Sequence, residues 1–314
     1  MYKLLTLALL ALAMTTESAS PVAIVIHGGA GRMDKAKLTP ARQKEYHTTL
    51  EASLRAGHAI LKKGGSSLDA VQAAIIVMED SPLFNAGKGA VFTSEGRNEL
   101  DASLMDGRTL EAGAVGGVTT LKNPILAARA VMDHTPHVLL TNQGAEAFAK
   151  NMRLELVKPN YFYTDHRWRQ LQEWKKKKAE GKNTFLDGKH ADYFGTVGCV
   201  ALDAKGNIAA GTSTGGLTGK QFGRIGDSPI IGAGTYANNK TCGISCTGHG
   251  EYFIRYAVAH DISAHMEYKN STLAEAARDI VQIKLKKAKG SGGIIGLDAK
   301  GNIVMEFNPP AMNR

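Results

Sequence analysis

Cysteine is scarce in this chain: there are three, Cys199, Cys242 and Cys246. Three thiols cannot all pair, so the disulfide framework that staples small secreted domains is not available. The spacing Cys242-x3-Cys246-x2-His249 looks like part of a metal site, but a structural zinc takes four ligands and no second pair lies nearby. An exported protein would permit a Cys242–Cys246 disulfide, but the spacing makes no strong case for one and small buried thiols account better for all three. Long apolar runs are also missing after the first thirteen residues, so no later segment offers the ~20 apolar residues of a membrane-spanning helix. Glycine-rich turns occur at His27-Gly28-Gly29-Ala30-Gly31 and Gly216-Leu217-Thr218-Gly219-Lys220-Gln221. Neither completes a P-loop or a dinucleotide fingerprint, the second failing at Gln221.

What remains is a 314-residue chain with 43% hydrophobic and 21% charged residues, the balance of a soluble globular protein of one large or two ordinary domains. Its 35 glycines point to many tight turns. The net charge of +9 draws attention to nucleic acid, yet the lysines cluster, with Lys175 to Lys178 in a row. Such a run is usually a solvated stretch, and no aromatics interleave with it in the single-strand-binding manner. Nucleic acid is therefore not an expected partner. Met1 to Ala13 has one lysine, a short apolar run and small residues, the layout of a secretory signal peptide. Residues 1–19 are expected to be removed, the cut falling after Ala11-Leu12-Ala13 or within Thr15 to Ser20. The mature protein is then exported, periplasmic or secreted, with no membrane contact.

Periodicity predicts a strand over Val22 to Ile26, a helix opened by Thr39-Pro40 and stopped by Gly64-Gly65, and a second from Ser66 with Val71, Ala74, Ile75 and Met78 inward. Asn123-Pro124 caps a third helix running to about Met132, and Asn142 to Met152 reads as a fourth. From Val157 to Phe194 no apolar period is sustained, although Asp165 to Lys178 could form a short helix, and the segment reads as an accessible linker. Leu202-Asp203-Ala204-Lys205-Gly206-Asn207-Ile208 recurs as Leu297-Asp298-Ala299-Lys300-Gly301-Asn302-Ile303, two hairpins sharing one turn chemistry. Between them Glu251 to Ile262 and Leu273 to Lys286 read as helices.

The junction Gly195-Thr196 separates the linker from the strand-like Val197-Gly198-Cys199-Val200-Ala201-Leu202. Most Gly-Thr pairs simply open a strand. If this bond is cut, however, the threonine gains an α-amine beside its own hydroxyl, a nucleophile and general base in one residue. Such an amine has an ordinary pKa of ~7.7–8.0, suited to taking the hydroxyl proton and returning it to a leaving group. Polar glycine-rich loops follow in order: Thr212-Ser213-Thr214-Gly215-Gly216, Gly223-Arg224-Ile225-Gly226-Asp227-Ser228-Pro229, Gly232-Ala233-Gly234-Thr235, and Cys246-Thr247-Gly248-His249-Gly250-Glu251.

With these loops, and with His27 to Gly31, Pro82 to Gly89 and Glu99 to Ser103 upstream, the chain resembles the plant-type asparaginase and isoaspartyl peptidase family of N-terminal-nucleophile hydrolases. The resemblance covers nearly all of the mature chain. It implies a four-layer αββα sandwich in one domain, made as a precursor and split into an α subunit, 20–195, ending in the linker of about 157–194, and a β subunit, 196–314. It further implies Thr196 as nucleophile freed at Gly195, Thr214 hydrogen-bonded to its hydroxyl, and Thr247 with Gly248 as oxyanion hole. Arg224, Asp227, Gly250 and Asn85 are implied in substrate binding, Arg224 for an α-carboxylate and Asp227 for an α-ammonium. His27 and His249 read as packing neighbours rather than catalysts. No cofactor is required; a structural sodium on backbone carbonyls of Met78, Glu79, Pro82, Phe84, Ala86 and Lys88 is implied, as is an (αβ)2 heterotetramer. The implied reaction is hydrolysis of β-aspartyl dipeptides and L-asparagine. A glycosylasparaginase, or an uncleaved exported binding protein, are the rival readings.

Overall fold

A computed structural model describes residues 21–31, 39–181 and 195–314. The expected signal segment and the last third of the linker, residues 182–194, lie outside the described residues. The chain is mixed α/β, and its strands form two main sheets. The larger takes β1 (Ala23–His27), β6 (Val197–Leu202), β7 (Ile208–Thr214), β3 (Leu100–Asp106), β4 (Ala112–Val118) and β5 (Leu139–Thr141), in that order. The smaller takes β11 (Ile303–Phe307), β10 (Gly292–Asp298), β9 (Cys242–Gly248) and β8 (Thr235–Ala237). A short ribbon pairs β2 (Gly29–Gly31) with β12 (Ala311–Asn313).

The helices form where caps and apolar spacing demand them. Thr39 accepts from the Arg42 N–H and Pro40 opens α1 (Pro40–Lys62); Ser66 accepts from the Asp69 N–H and opens α2 (Ser67–Glu79). Val71, Ala74, Ile75 and Met78 of α2 are fully buried, as their spacing predicts. Together with α3 (Pro124–His134) and α4 (Asn142–Asn151) they share an apolar cluster with one side of the larger sheet. A second cluster joins the smaller sheet to α6 (Gly250–Arg255), α7 (Val258–Lys269), α8 (Leu273–Arg278) and the π-helical turn that continues it over Asp279–Leu285. A third, with Val25, Met105, Val200, Leu202, Ile208, Ile295 and Leu297, lies between the two sheets. Among the described residues no helix is long and apolar enough to cross a membrane.

Three expectations need correction. The helix predicted over Glu251 to Ile262 is two helices, α6 and α7, because Ala257 takes a left-handed φ of 47° between them. The accessible linker is folded through its first two thirds: α5 (Asp165–Ala179), capped by Thr164, buries Arg167, Leu171 and Trp174. These lie at i, i+4 and i+7, a stripe too narrow to stand out among the surrounding lysines. Asn123 does not cap α3 with its side chain but donates to Asp80 instead. The two matching heptapeptides do form hairpin turns, β6–β7 and β10–β11, with Gly206 and Gly301 left-handed at φ 78° and 83°. The three cysteines are unpaired and buried.

Candidate active site

Strand register brings the site together. In the β6–β7 pair Val197 lies opposite Ser213, which sets Thr196 level with Thr214 at the same end of the sheet. The Thr196 hydroxyl donates to Thr214 Oγ1 at 3.0 Å, and that oxygen also accepts from the Gly216 N–H at 3.0 Å. Thr196 is 8% exposed. Across the gap between sheets, Gly243 of β9 packs on Val200 and Gly198 on Ser245, so the same step onward puts Thr247 opposite Thr196.

The turn after β1 closes the site. The His27–Gly198 pairing directs Gly28 and Gly29 over the junction, where a Cβ on Gly29 would stand 2.5 Å from the Gly195 Cα and 3.2 Å from the Thr196 nitrogen. Gly29 also has φ +107°, a backbone that side chains disfavour. The next residue, Ala30, donates its N–H to Thr247 Oγ1 at 3.2 Å. That hydroxyl therefore receives one bond and keeps its own proton for another acceptor. Gly29→Ala is expected to fold with a strained turn and to slow cutting of the Gly195–Thr196 bond at least tenfold, read from band intensities on denaturing gels over time.

Asn85 packs its Cβ against Gly195, at 3.3 Å from where a Cβ on Gly195 would lie. Its amide is engaged elsewhere: Oδ1 accepts from the Val91 N–H and Nδ2 donates to the Gly216 carbonyl. Asn85 thus ties the Pro82–Gly89 loop to the Thr214–Gly216 turn and buttresses the junction.

Arg224, Asp227 and Gly250 converge beside this centre. A Cβ on Gly250 would lie 2.8 Å from both Arg224 Nη2 and Asp227 Oδ1, so the missing side chain keeps a gap between cation and carboxylate. Asp227 is buried, and among the described residues its Oδ2 has no hydrogen-bond partner. Burial pushes its carboxyl up to about 6, against the pull of the Arg224 charge. Arg224 pairs with Glu251 rather than Asp227: Nε donates to Oε1 at 2.9 Å and Nη2 to Oε2 at 3.0 Å. Burial opposes the Glu251 charge, but Arg224 outweighs it and holds that carboxyl below its usual range. The guanidinium has five N–H donors, so this pair leaves the Nη1 edge for a second carboxylate. Sequence reasoning overlooked Glu251, although its place in the Thr247–Glu251 loop was the available signal.

A cavity of about 930 Å³ lined by Phe92, Arg97, Glu99, Tyr163 and Trp168 includes none of these threonines. The hydroxyls and charges meet outside it. Among the described residues no cluster of three or more His, Cys, Asp or Glu side chains is placed to hold a metal ion.

A threonine at the head of an inner strand, hydrogen-bonded to a second threonine and preceded by a glycine wrapped in a tight turn, is the arrangement an N-terminal-nucleophile hydrolase requires. The chain belongs to the asparaginase family, whose sequence profile matches residues 20–314. It is 48% identical over 294 residues to an isoaspartyl peptidase of Escherichia coli, covering 93% of this chain and 91% of the relative. It is 47% identical over 296 residues to an isoaspartyl peptidase of Salmonella typhimurium, covering 93% of each. A human isoaspartyl peptidase/L-asparaginase is 40% identical over 293 residues, covering 93% and 92%.

Proposed function

We propose that the chain is the precursor of a threonine hydrolase that cleaves β-aspartyl dipeptides and L-asparagine through an acyl-enzyme on Thr196. The observation that carries this reading is the 3.0 Å bond between the Thr196 and Thr214 hydroxyls at a buried strand head, beside the Arg224–Asp227 gap. In the precursor Thr196 Oγ attacks the Gly195 carbonyl carbon; the C–N bond breaks as the oxygen ester forms. Water then hydrolyses the ester, leaving a Gly195 carboxylate and a Thr196 α-amine.

In the mature enzyme that amine takes the Thr196 hydroxyl proton as the oxygen attacks the substrate's side-chain amide. The Thr247 hydroxyl and the Gly248 N–H stabilise the developing oxyanion, a contribution of ~2.7–4 kcal/mol per donor in comparable sites. The protonated amine passes its proton to the leaving amine, and water releases aspartate from the ester. Arg224 receives the substrate α-carboxylate on its Nη1 edge, and Asp227 Oδ2 receives the α-ammonium. Arg224→Ala is expected to process normally and to raise KM for a β-aspartyl dipeptide by about 10²-fold; an unchanged KM would remove it from the site.

The wider reading is a four-layer αββα sandwich, with helices α1–α4 outside one sheet and α6–α8 outside the other, assembled as an (αβ)2 heterotetramer of subunits 20–195 and 196–314. The charge run at Lys175 to Lys178 ends a folded helix and is not assigned to nucleic acid. The apolar stretch up to Ala13 supports export to the periplasm or beyond. The implied sodium would lie in the loop after α2, a reading supported by carbonyls crowding its glycines: a Cβ on Gly87 would strike the Glu79 carbonyl and one on Gly89 those of Phe84 and Pro82. These three oxygens would hold it, whereas the Met78 and Ala86 carbonyls already accept from Ser81 and Gly89 N–H groups. Such an ion would stiffen the loop that carries Asn85.

Two bands on a denaturing gel, the smaller beginning Thr-Val-Gly-Cys, are the expected result for mature protein. One persistent full-length band points to a binding protein instead. Parallel rates on a β-aspartyl dipeptide, L-asparagine and a glycosylated asparagine test the substrate, with preference for the last overturning the assignment.

A further inference from the structure

His27 lies at the end of β1 and is fully buried. Its Nδ1 is 2.9 Å from the Thr196 carbonyl oxygen, and its Nε2 is 3.1 Å from Ser245 Oγ. A carbonyl only accepts, so Nδ1 carries the proton. Burial lowers the ring's pKa to about 3 despite the Thr196 carbonyl bond, so the imidazole is neutral at working pH and Nε2 is a bare acceptor. Ser245 must then donate to it.

That assignment orders a chain of hydroxyls. With its single proton committed to His27, Ser245 Oγ accepts from Thr212 Oγ1 at 2.7 Å. Thr212 in turn accepts from Thr235 Oγ1 at 2.6 Å, and Ser103 Oγ lies 2.8 Å from Thr235 Oγ1 and 2.6 Å from the Ser228 carbonyl. Ser245, Thr212, Thr235 and Ser103 are all fully buried, between the sheets. Gly198 leaves the space for this contact, since a Cβ there would strike both Ser245 Oγ and His27 Nε2. Since the Thr235 proton goes to Thr212, Ser103 donates to Thr235, and the chain runs from Ser103 to the carbonyl of Thr196 and enters no step of the chemistry above.

Its value begins when the Gly195–Thr196 bond is broken. Thr196 is then a chain end, and chain ends fray unless tied down. We propose that His27 is a positioning residue that holds the freed Thr196 by its carbonyl, with Ser245, Thr212, Thr235 and Ser103 keeping the imidazole in the orientation this needs. With the Thr196–Val197 peptide plane held by Nδ1–H, a single torsion sets where the α-amine and the Cβ of Thr196 point. The Thr214 bond then fixes the hydroxyl. This rests on the reading of Thr196 as the nucleophile.

Two measurements test it. In processed wild-type protein with ¹⁵N-labelled histidine, the His27 signals, assigned by their loss in His27→Asn, should show the Nδ1–H tautomer without titration from about pH 5 to 8. An Nε2–H tautomer, or titration in that range, overturns the proposal whatever the activity. In kinetics, the side-chain amide nitrogen introduced by H27N can replace Nδ1, whereas the longer side chain of H27Q cannot. H27N should keep kcat within about fivefold, and H27Q should lose roughly 10²-fold in kcat with KM for a β-aspartyl dipeptide unchanged. Equal losses in both variants, or a loss confined to KM, overturn it. Should H27Q stay unprocessed, Thr212→Val breaks the chain beyond the histidine and should lower kcat about threefold to tenfold at constant KM; a wild-type kcat overturns the proposal. Wild-type protein inactive on both β-aspartyl dipeptide and L-asparagine would sink the proposed function, while the tautomer still reports on His27.

Discussion

Thr196→Ala is expected to yield a single uncut chain with activity lower by roughly 10⁴-fold or more on β-aspartyl dipeptide, because the same oxygen serves both reactions. Folding should survive. The change deletes a hydroxyl and a methyl at a strand head, leaving Thr214 Oγ1 its bond from the Gly216 N–H. Circular dichroism and a thermal melt close to wild type should therefore accompany the single band. Thr196→Ser is the informative companion. It keeps the hydroxyl but loses the β-branch that restricts χ1, so both cutting and turnover should persist at reduced rates. Two chains from Thr196→Ala would show that the cut lies elsewhere or is made by another protease.

Asp227→Asn should separate stability from activity. The Asp227 carboxyl is raised to about 6 in the folded protein by burial. Its unfolded value is near 3.9, so between these pH values the folded state binds more protons than the unfolded one. Stability from this group is therefore fully present below about pH 3.9 and declines as pH rises to about 6. Above that the wild type carries a penalty of about 3 kcal/mol, at ~1.4 kcal/mol per pH unit. Asp227→Asn removes the penalty and should raise the melting temperature at pH 7.5, with little effect near pH 4. The same change removes the counter-charge for a substrate ammonium, a loss of about 2–4 kcal/mol, or roughly 30- to 1000-fold in kcat/KM. In the wild type, kcat/KM should fall with a steeper slope below about pH 6 than between pH 6 and 8, since Asp227 and the Thr196 amine must both be unprotonated. The extra slope should vanish in Asp227→Asn. A melting temperature unmoved at pH 7.5, or a wild-type profile without the second slope, would contradict this account.

Much of the fold was legible because it is written in local rules. The cap at Thr39, the helix start at Ser66, which the structure makes the N-cap, the inward spacing of α2 and the repeated Asp-Ala-Lys-Gly-Asn turns act over a few residues. Errors fell where tertiary context wins: Ala257 breaks a helical pattern with a left-handed backbone between two helices, and α5 hides a buried stripe of Arg167, Leu171 and Trp174 under a lysine-rich exterior. The site divides in the same way. Thr196 stood out as a candidate at the Gly-Thr junction, and Arg224 and Asp227 entered through the resemblance of their loops to the asparaginase and isoaspartyl peptidase family.

The sequence by itself determined the family, and through that resemblance it named the candidates to attack and grip: the Gly-Thr junction, the charged pair three residues apart and the glycines around them. Only the tertiary structure decided that Glu251 takes one edge of Arg224, that Gly29 wraps Gly195, and that His27 reaches the Thr196 carbonyl 169 positions away. The physical reason is that strand register and the facing of two sheets set these contacts. A hydrogen bond depends on distances of a few ångströms between groups whose separation along the chain carries no trace of it.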